Sequence, residues 1–139
     1  MGRISIGLLA LACVGFVALA FGVLVPPAYA HHSFSSYYFE EQSVSIEGAI
    51  EEFQYRNPHA WVKVRVAEPA GEVVYAAEWA GAGRLERLGI TAETLKPGDT
   101  VRITGAPGRN AAENRIHLKQ IVRPADGWSW GSNRGRRRP

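Results

Sequence analysis

From residue 44 onward, apolar and polar residues alternate in short runs, the period of strands with one face buried. Val44, Ile46, Gly48 and Ile50 alternate with Ser45, Glu47 and Ala49. Gly48 inside that run predicts a bulge or a sharp bend. Arg56-Asn57-Pro58 forms a turn, because proline restricts the residue before it and asparagine tolerates turn geometry. Ala60, Val62, Val64 and Val66 then alternate with Trp61, Lys63 and Arg65 in a second strand. Glu68-Pro69-Ala70-Gly71 connects to a third strand, where Val73, Tyr75, Ala77 and Trp79 alternate with Val74, Ala76 and Glu78. Between Gly81 and Leu95 the period changes. Leu85, Leu88 and Ile90 sit at helical spacing, Arg84, Glu86 and Arg87 point outward, and Gly89 marks a C-terminal stop. Lys96-Pro97-Gly98-Asp99 is a turn. Val101 and Ile103 make a fourth strand ending at Gly105, Pro107-Gly108-Arg109-Asn110 is loop, and Arg115 to Val122 is a fifth strand. Asp126-Gly127 signals a turn leading into a short final strand through Trp128 and Trp130.

Three strands, a short helix and two strands suit an all-β, five-stranded OB-like Greek-key barrel with its helix between strands three and four. A small open β-sandwich is the alternative. No internal repeat is visible.

The first thirty residues follow a different pattern. Ile4 to Val25 are uncharged and follow Arg3, Pro26 and Pro27 break any helix, and Ala28-Tyr29-Ala30 is a small-x-small cleavage pattern. The expected organisation is a signal peptide over 1–30, an OB-like barrel over 31–125, and a disordered basic tail rich in Trp, Gly and Arg over 126–139. An uncleaved apolar anchor is the competing expectation for the first segment. Cys13 lies within the apolar run and reads as an ordinary member of it. Cleavage places the mature protein in the periplasm or outside the cell, without cysteine or methionine, so the core alone must hold the fold.

Composition matters chiefly through its distribution. The chain of 139 residues carries a formal charge of +3, which alone hints at nucleic acid or a membrane surface. One arginine lies in the leader and Arg134, Arg136, Arg137 and Arg138 lie in the tail. Residues 31–132 keep 11 basic and 13 acidic residues, a net of −2. That balance gives a nucleic-acid-binding barrel no support. Membrane contact is expected only through the leader or the basic tail.

Four histidines remain after cleavage: His31, His32, His59 and His117. A cut after Ala30 makes His31 the first residue. Its free amine and imidazole can then chelate one metal, and a second imidazole completes a three-nitrogen histidine brace. Planar nitrogen ligands favour Cu(II). His59 is the first choice for the second imidazole, because it follows the Asn57-Pro58 turn at a strand start. His117 comes next. His32 is a further alternative, since an amine, the intervening backbone nitrogen and a position-two imidazole also bind copper. Against these stand plainer roles: a solvated N-terminus for His31 and His32, a turn hydrogen bond for His59, and a wet strand face beside Lys119 for His117. Glu40-Glu41 and Glu51-Glu52 read as solvated surface. No GxSxG, P-loop, GxGxxG or HExxH pattern is present, so the expected role is non-catalytic; a copper oxidase or oxygenase built on the same brace ranks last.

HHSF (31–34) and NPHAW (57–61), with Glu78-Trp79, Gly83-Arg84-Leu85, LKPGD (95–99) and VRITG (101–105), resemble a family of exported bacterial proteins that carries only a domain-of-unknown-function label. The resemblance spans most of 31–122, and the tail after Val122 departs from it. It implies export, a small β-barrel, and attention to His31, His32 and His59; His117 lies outside its motifs. The expected function is therefore binding or delivery of a metal, copper, at the N-terminal histidines. The alternative is a metal-free interaction module of the cell envelope that docks a protein or glycan through Trp61, Lys63 and Arg65, an aromatic beside two cations on one strand face.

Overall fold

The computed structural model describes residues 34–131. The predicted cleavage site, His31, His32 and the arginines of the tail lie outside those residues. Six strands form: β1 (Val44–Gln54), β2 (Trp61–Glu68), β3 (Gly71–Glu78), β4 (Thr100–Pro107), β5 (Arg115–Arg123) and β6 (Trp128–Trp130). One short helix, α1 (Ala82–Glu86), lies between β3 and β4. No helix among the described residues is long and apolar enough to cross a membrane.

The strands pair in the order β3-β2-β1-β4-β5-β6, and β3 also pairs with β5. That last pairing is parallel and closes the first five strands into a barrel. This is the five-stranded OB-like Greek key that the strand order predicts, with its helix between the third and fourth strands. Closure leaves no free edge on either β3 or β5 along the paired stretch.

The period-two residues fill the barrel. Val62 and Val64 of β2, Val101 and Ile103 of β4, and Ile116, Leu118 and Ile121 of β5 are all buried. Leu85, Ile90 and Leu95 join the same core from the β3–β4 connection. Helix α1 ends where the Gly89 amide donates to the Glu86 carbonyl (2.9 Å) and the Ile90 amide donates to the Leu85 carbonyl (3.0 Å). This closure buries Leu85 and Ile90 but turns Leu88 outward, 54% exposed. Leu88 thus departs from the expected apolar face, because the helix is too short to bring a second turn against the barrel.

Gly48 plays a different part from the one its position suggests. The register of β1 on β2 shifts between Ile50 and Glu52, after Gly48. At Gly48 itself a Cβ would meet the Arg65 carbonyl oxygen at 2.1 Å. The glycine permits a close approach of two backbones and not a bulge. Gly105 does the same in β4, where a Cβ would lie 2.1 Å from the His117 carbonyl oxygen, beside the shift in the β4–β5 register.

The expectation of disorder from Asp126 onward does not hold for the described part of that segment. Strand β6 pairs Trp128 and Trp130 with Arg123 and Ile121 of β5. Arg123 secures the turn: it donates to Asp99 (2.7 Å), to Asp126 (2.8 Å) and to the Thr94 carbonyl (2.8 Å). Its guanidinium also lies 5.6 Å from the Trp128 ring centroid. Trp130 packs edge-on against Trp79, centroids 5.0 Å apart. Two large apolar rings with buried partners outweigh the turn-rich composition around them.

Candidate functional site

Residues 34–42, aromatic and without period in sequence, form a strap across the outside of the β3–β5 seam. Phe34–Ser36 make a single 3-10 turn. The Tyr38 amide donates to the Phe34 carbonyl (2.8 Å), the Phe39 amide to the Pro107 carbonyl (2.9 Å), and the Arg109 amide to the Tyr37 carbonyl (2.8 Å). Arg109 clamps the strap further, donating to the Ser35 carbonyl (2.8 Å) and placing its guanidinium 4.4 Å from the Phe39 centroid.

Under the strap lies a chain of polar groups drawn from four parts of the sequence. Glu78 ends β3 on the outward phase, yet it is only 9% exposed. The Tyr38 hydroxyl donates to one of its carboxylate oxygens, and His59 Nδ1 binds the other. Directly across the seam from Glu78 stands His117, its register partner on β5. His117 Nδ1 binds Glu40 Oε1 at 2.6 Å, and Lys119 Nζ donates to Glu40 Oε2 at 2.5 Å. The Lys119 ammonium also lies 2.9 Å from His117 Nδ1. A lysine can only donate there, so an imidazole that gives its Nδ1 proton to Glu40 leaves the ammonium to the carboxylate.

The Phe34 ring joins the two histidines. It stacks on His117 with centroids 3.8 Å apart and 10° between planes, and on His59 at 5.3 Å and 21°. Face contact of this kind leaves the in-plane lone pair of an imidazole nitrogen uncovered. Both histidines line one cleft of about 340 Å³, with Phe34, Trp79, Arg84 and Trp130 among its walls. The Trp79 indole nitrogen is buried with no hydrogen-bond partner among the described residues.

The turn before His59 is held on both sides. The Asn57-Pro58 bond is cis. The Asn57 side-chain carbonyl accepts from the Gly83 amide (3.2 Å), and the Arg56 carbonyl accepts from the Ala82 amide (3.1 Å). The turn is thereby tied to the start of α1, and His59 is free of it and bonded to Glu78. Burial pushes the ionisation of Tyr38 far above its ordinary value, and its hydrogen bond to Glu78 pushes the same way. Burial would raise the Glu40 carboxyl, but the hydrogen bonds from Lys119 and His117 outweigh it and hold that group below its ordinary value.

Of the residues predicted for metal, His59 sits in this cleft, while His31 and His32 fall outside the described residues. Among the described residues, no group of three or more His, Cys, Asp or Glu side chains is arranged to hold a metal ion. His117 is half-buried against Phe34 and does not sit on the wet face expected for it. Glu40, expected as solvated surface, is the anchor of His117 and Lys119. Tyr38 had no local signal and Glu78 entered only through the Glu78-Trp79 pair of the family resemblance: they lie 21 and 19 residues from His59 in the chain.

Trp61, Lys63 and Arg65 do share the outer face of β2, as their alternation predicts. Their charges are engaged. Lys63 pairs with Glu52 (2.7 Å), and Arg65 pairs with Glu51 (2.7 Å) and Glu72 (3.4 Å). Trp61 carries the Arg115 guanidinium 5.5 Å from its ring centroid.

Fold and site together define a small OB-like β-barrel with a histidine–glutamate cluster strapped over its closing seam. The chain belongs to a family of unknown function, DUF6152, whose sequence profile matches residues 20–117. No curated protein and no solved structure matches it.

Proposed function

We propose that this is an exported, periplasmic protein that binds a metal ion, copper, in a non-catalytic binding or delivery role. The donors are the amine and imidazole of His31, with His32 beside them, and the imidazole of His59. The observation that carries this reading is the state of His59. Its Nδ1 is taken by a largely buried glutamate, which leaves Nε2 as the donor nitrogen of a residue that lines a cleft. Metal-binding histidines are characteristically oriented by a carboxylate in this way.

The test uses protein recovered from the exported fraction. Intact mass establishes whether the chain starts at His31, and calorimetric titration with Cu(II) follows. One tightly bound Cu(II) per chain is expected, with a nitrogen-rich type 2 EPR spectrum that changes in His31→Ala. A different N-terminus, or a spectrum unmoved by that substitution, removes the brace. The competing reading, an envelope partner docked on Trp61, Lys63 and Arg65, requires the partner to displace Glu51, Glu52 and Glu72 from those cations.

A further inference from the structure

The cleft beside His59 also carries ligand chemistry that does not rest on a metal. We propose that it binds a small aromatic carboxylate. The ligand ring packs among Phe34, Trp79 and Trp130, and its acceptor oxygens take up two donors left unmatched there, the Arg84 guanidinium and the Trp79 indole N–H.

Size and lining set the class of ligand. The cleft holds about 340 Å³, and Phe34, Trp79, Leu118 and Trp130 form its apolar walls. Clefts for small molecules begin at about 300 Å³ and are mostly apolar, with a few polar groups that fix orientation. This one therefore suits a ligand built on a single ring. Trp79 and Trp130 already meet edge to face, with 68° between their planes, and a further ring gains from the same geometry.

The unmatched donors set its charge. Trp79 is 1% exposed, yet its indole nitrogen has no acceptor among the described residues. An indole N–H can only donate, and folded chains leave few buried donors unmatched. Carboxylates pair with Arg65, Arg102, Arg115 and Arg123, but none pairs with Arg84 among the described residues. Lys119, the other permanent cation of the lining, is held by Glu40. The two imidazoles are bonded to Glu78 and Glu40. One cation in excess matches one carboxylate, whereas a doubly charged phosphate would also meet the field of those two glutamates.

The experiment uses the exported protein, 15N-labelled and kept metal-free with EDTA, so that its outcome is separate from that of the copper titration. The four tryptophans of the chain give four indole N–H signals. Benzoate is expected to bind with a Kd on the order of 1 mM, moving the indole signals of Trp79 and Trp130 and leaving that of Trp61 in place. Benzyl alcohol keeps the ring without the charge, and acetate keeps the charge without the ring; each should bind at least ~10-fold more weakly. Arg84→Gln should weaken benzoate ~10- to 100-fold and leave benzyl alcohol unchanged. Arg84 is exposed, so its replacement leaves the core intact. Benzoate that gives no saturable shift, that moves only Trp61, or that binds Arg84→Gln as tightly as the wild type overturns the proposal. So does benzyl alcohol or acetate that binds as tightly as benzoate. None of these outcomes touches the copper reading, which the His31→Ala spectrum decides.

Discussion

Replacing Tyr38 by phenylalanine isolates a single hydroxyl. The ring is 1% exposed, and Phe fills the same space, so no cavity opens. What disappears is the proton donor to the Glu78 carboxylate, a group that is itself almost fully covered. A hydrogen bond to a charged group contributes about 1.5–3 kcal/mol, and a covered oxygen left without its donor cannot recover that from water. The expected loss is therefore about 2 kcal/mol. For a domain of this size each kcal/mol moves Tm by roughly 4–8 °C, so Tyr38→Phe should melt roughly 8–16 °C below the wild type at pH 7. The dependence on alkali supplies an independent check. Burial, followed by the Glu78 bond, raises the ionisation of Tyr38 above its ordinary value of 10.0. The folded state therefore keeps a proton that the unfolded chain gives up. Its stabilisation is fully present below pH 10 and declines as pH rises beyond it. Thermal melts from pH 8 to 11 should show a falling Tm in the wild type and a shallower fall in Tyr38→Phe. A variant that melts within 2 °C of the wild type (about a quarter of the smallest expected shift), with the same alkaline slope, would refute the view that Glu78 depends on this donor.

Glu40→Gln should remove stability at neutral pH and flatten the acid limb. The Glu40 carboxyl is held below its ordinary 4.5, so its contribution is present above that value and is lost as pH falls through the lowered one; urea unfolding between pH 3 and 7 reads the difference. Leu85→Ala empties a fully buried position where the β3–β4 connection meets the barrel, and should cost about 2–5 kcal/mol by urea denaturation; a loss under 1 kcal/mol, half that range's lower limit, would mean α1 contributes little to the core. Gly105→Ala forces a methyl toward the His117 carbonyl and should cost about 1–3 kcal/mol, with amide shifts in the NMR spectrum concentrated in β4 and β5. Arg65→Ala breaks two exposed ion pairs and should change stability by less than about 1 kcal/mol; a larger drop would show that the β2 face is more than a solvated charge array.

The barrel was legible because its information is local. Val62, Val64 and Val66 announce a buried face by spacing alone, and three strands, a helix and two strands leave few ways to close a sheet. The misjudged positions are those where tertiary contact overrides a local rule. Gly48 suggests a bulge or sharp bend in sequence; the register shift falls at Ile50/Glu52, and Gly48 itself is a close backbone approach whose partner, Arg65, is 17 residues away. Trp128 and Trp130 sit among glycines and charges, and only Arg123 and Trp79 give them a place to pack. The site divides in the same way. His59 could be singled out because NPHAW couples a turn, a strand start and an imidazole in five residues. Nothing near Glu78, Glu40 or Tyr38 marks them as a cluster, because each acquires that meaning from a partner 19 to 77 residues distant. His117 stood beside Lys119 as an apparent solvent-facing pair, and the strap that covers it carries no periodic signal.

The seam between β3 and β5 joins only three residue pairs, Ala76–Glu78 against Arg115–His117, and one of those pairs is Glu78 with His117. The histidine cluster is thus built from both lips of the joint that shuts the barrel. If the seam parts by a single pair at that end, His117 moves away with β5 while His59 stays bonded to Glu78 of β3. Anything that grips both rings works as a clasp on the barrel, and the breathing of three backbone pairs sets how often the clasp lets go.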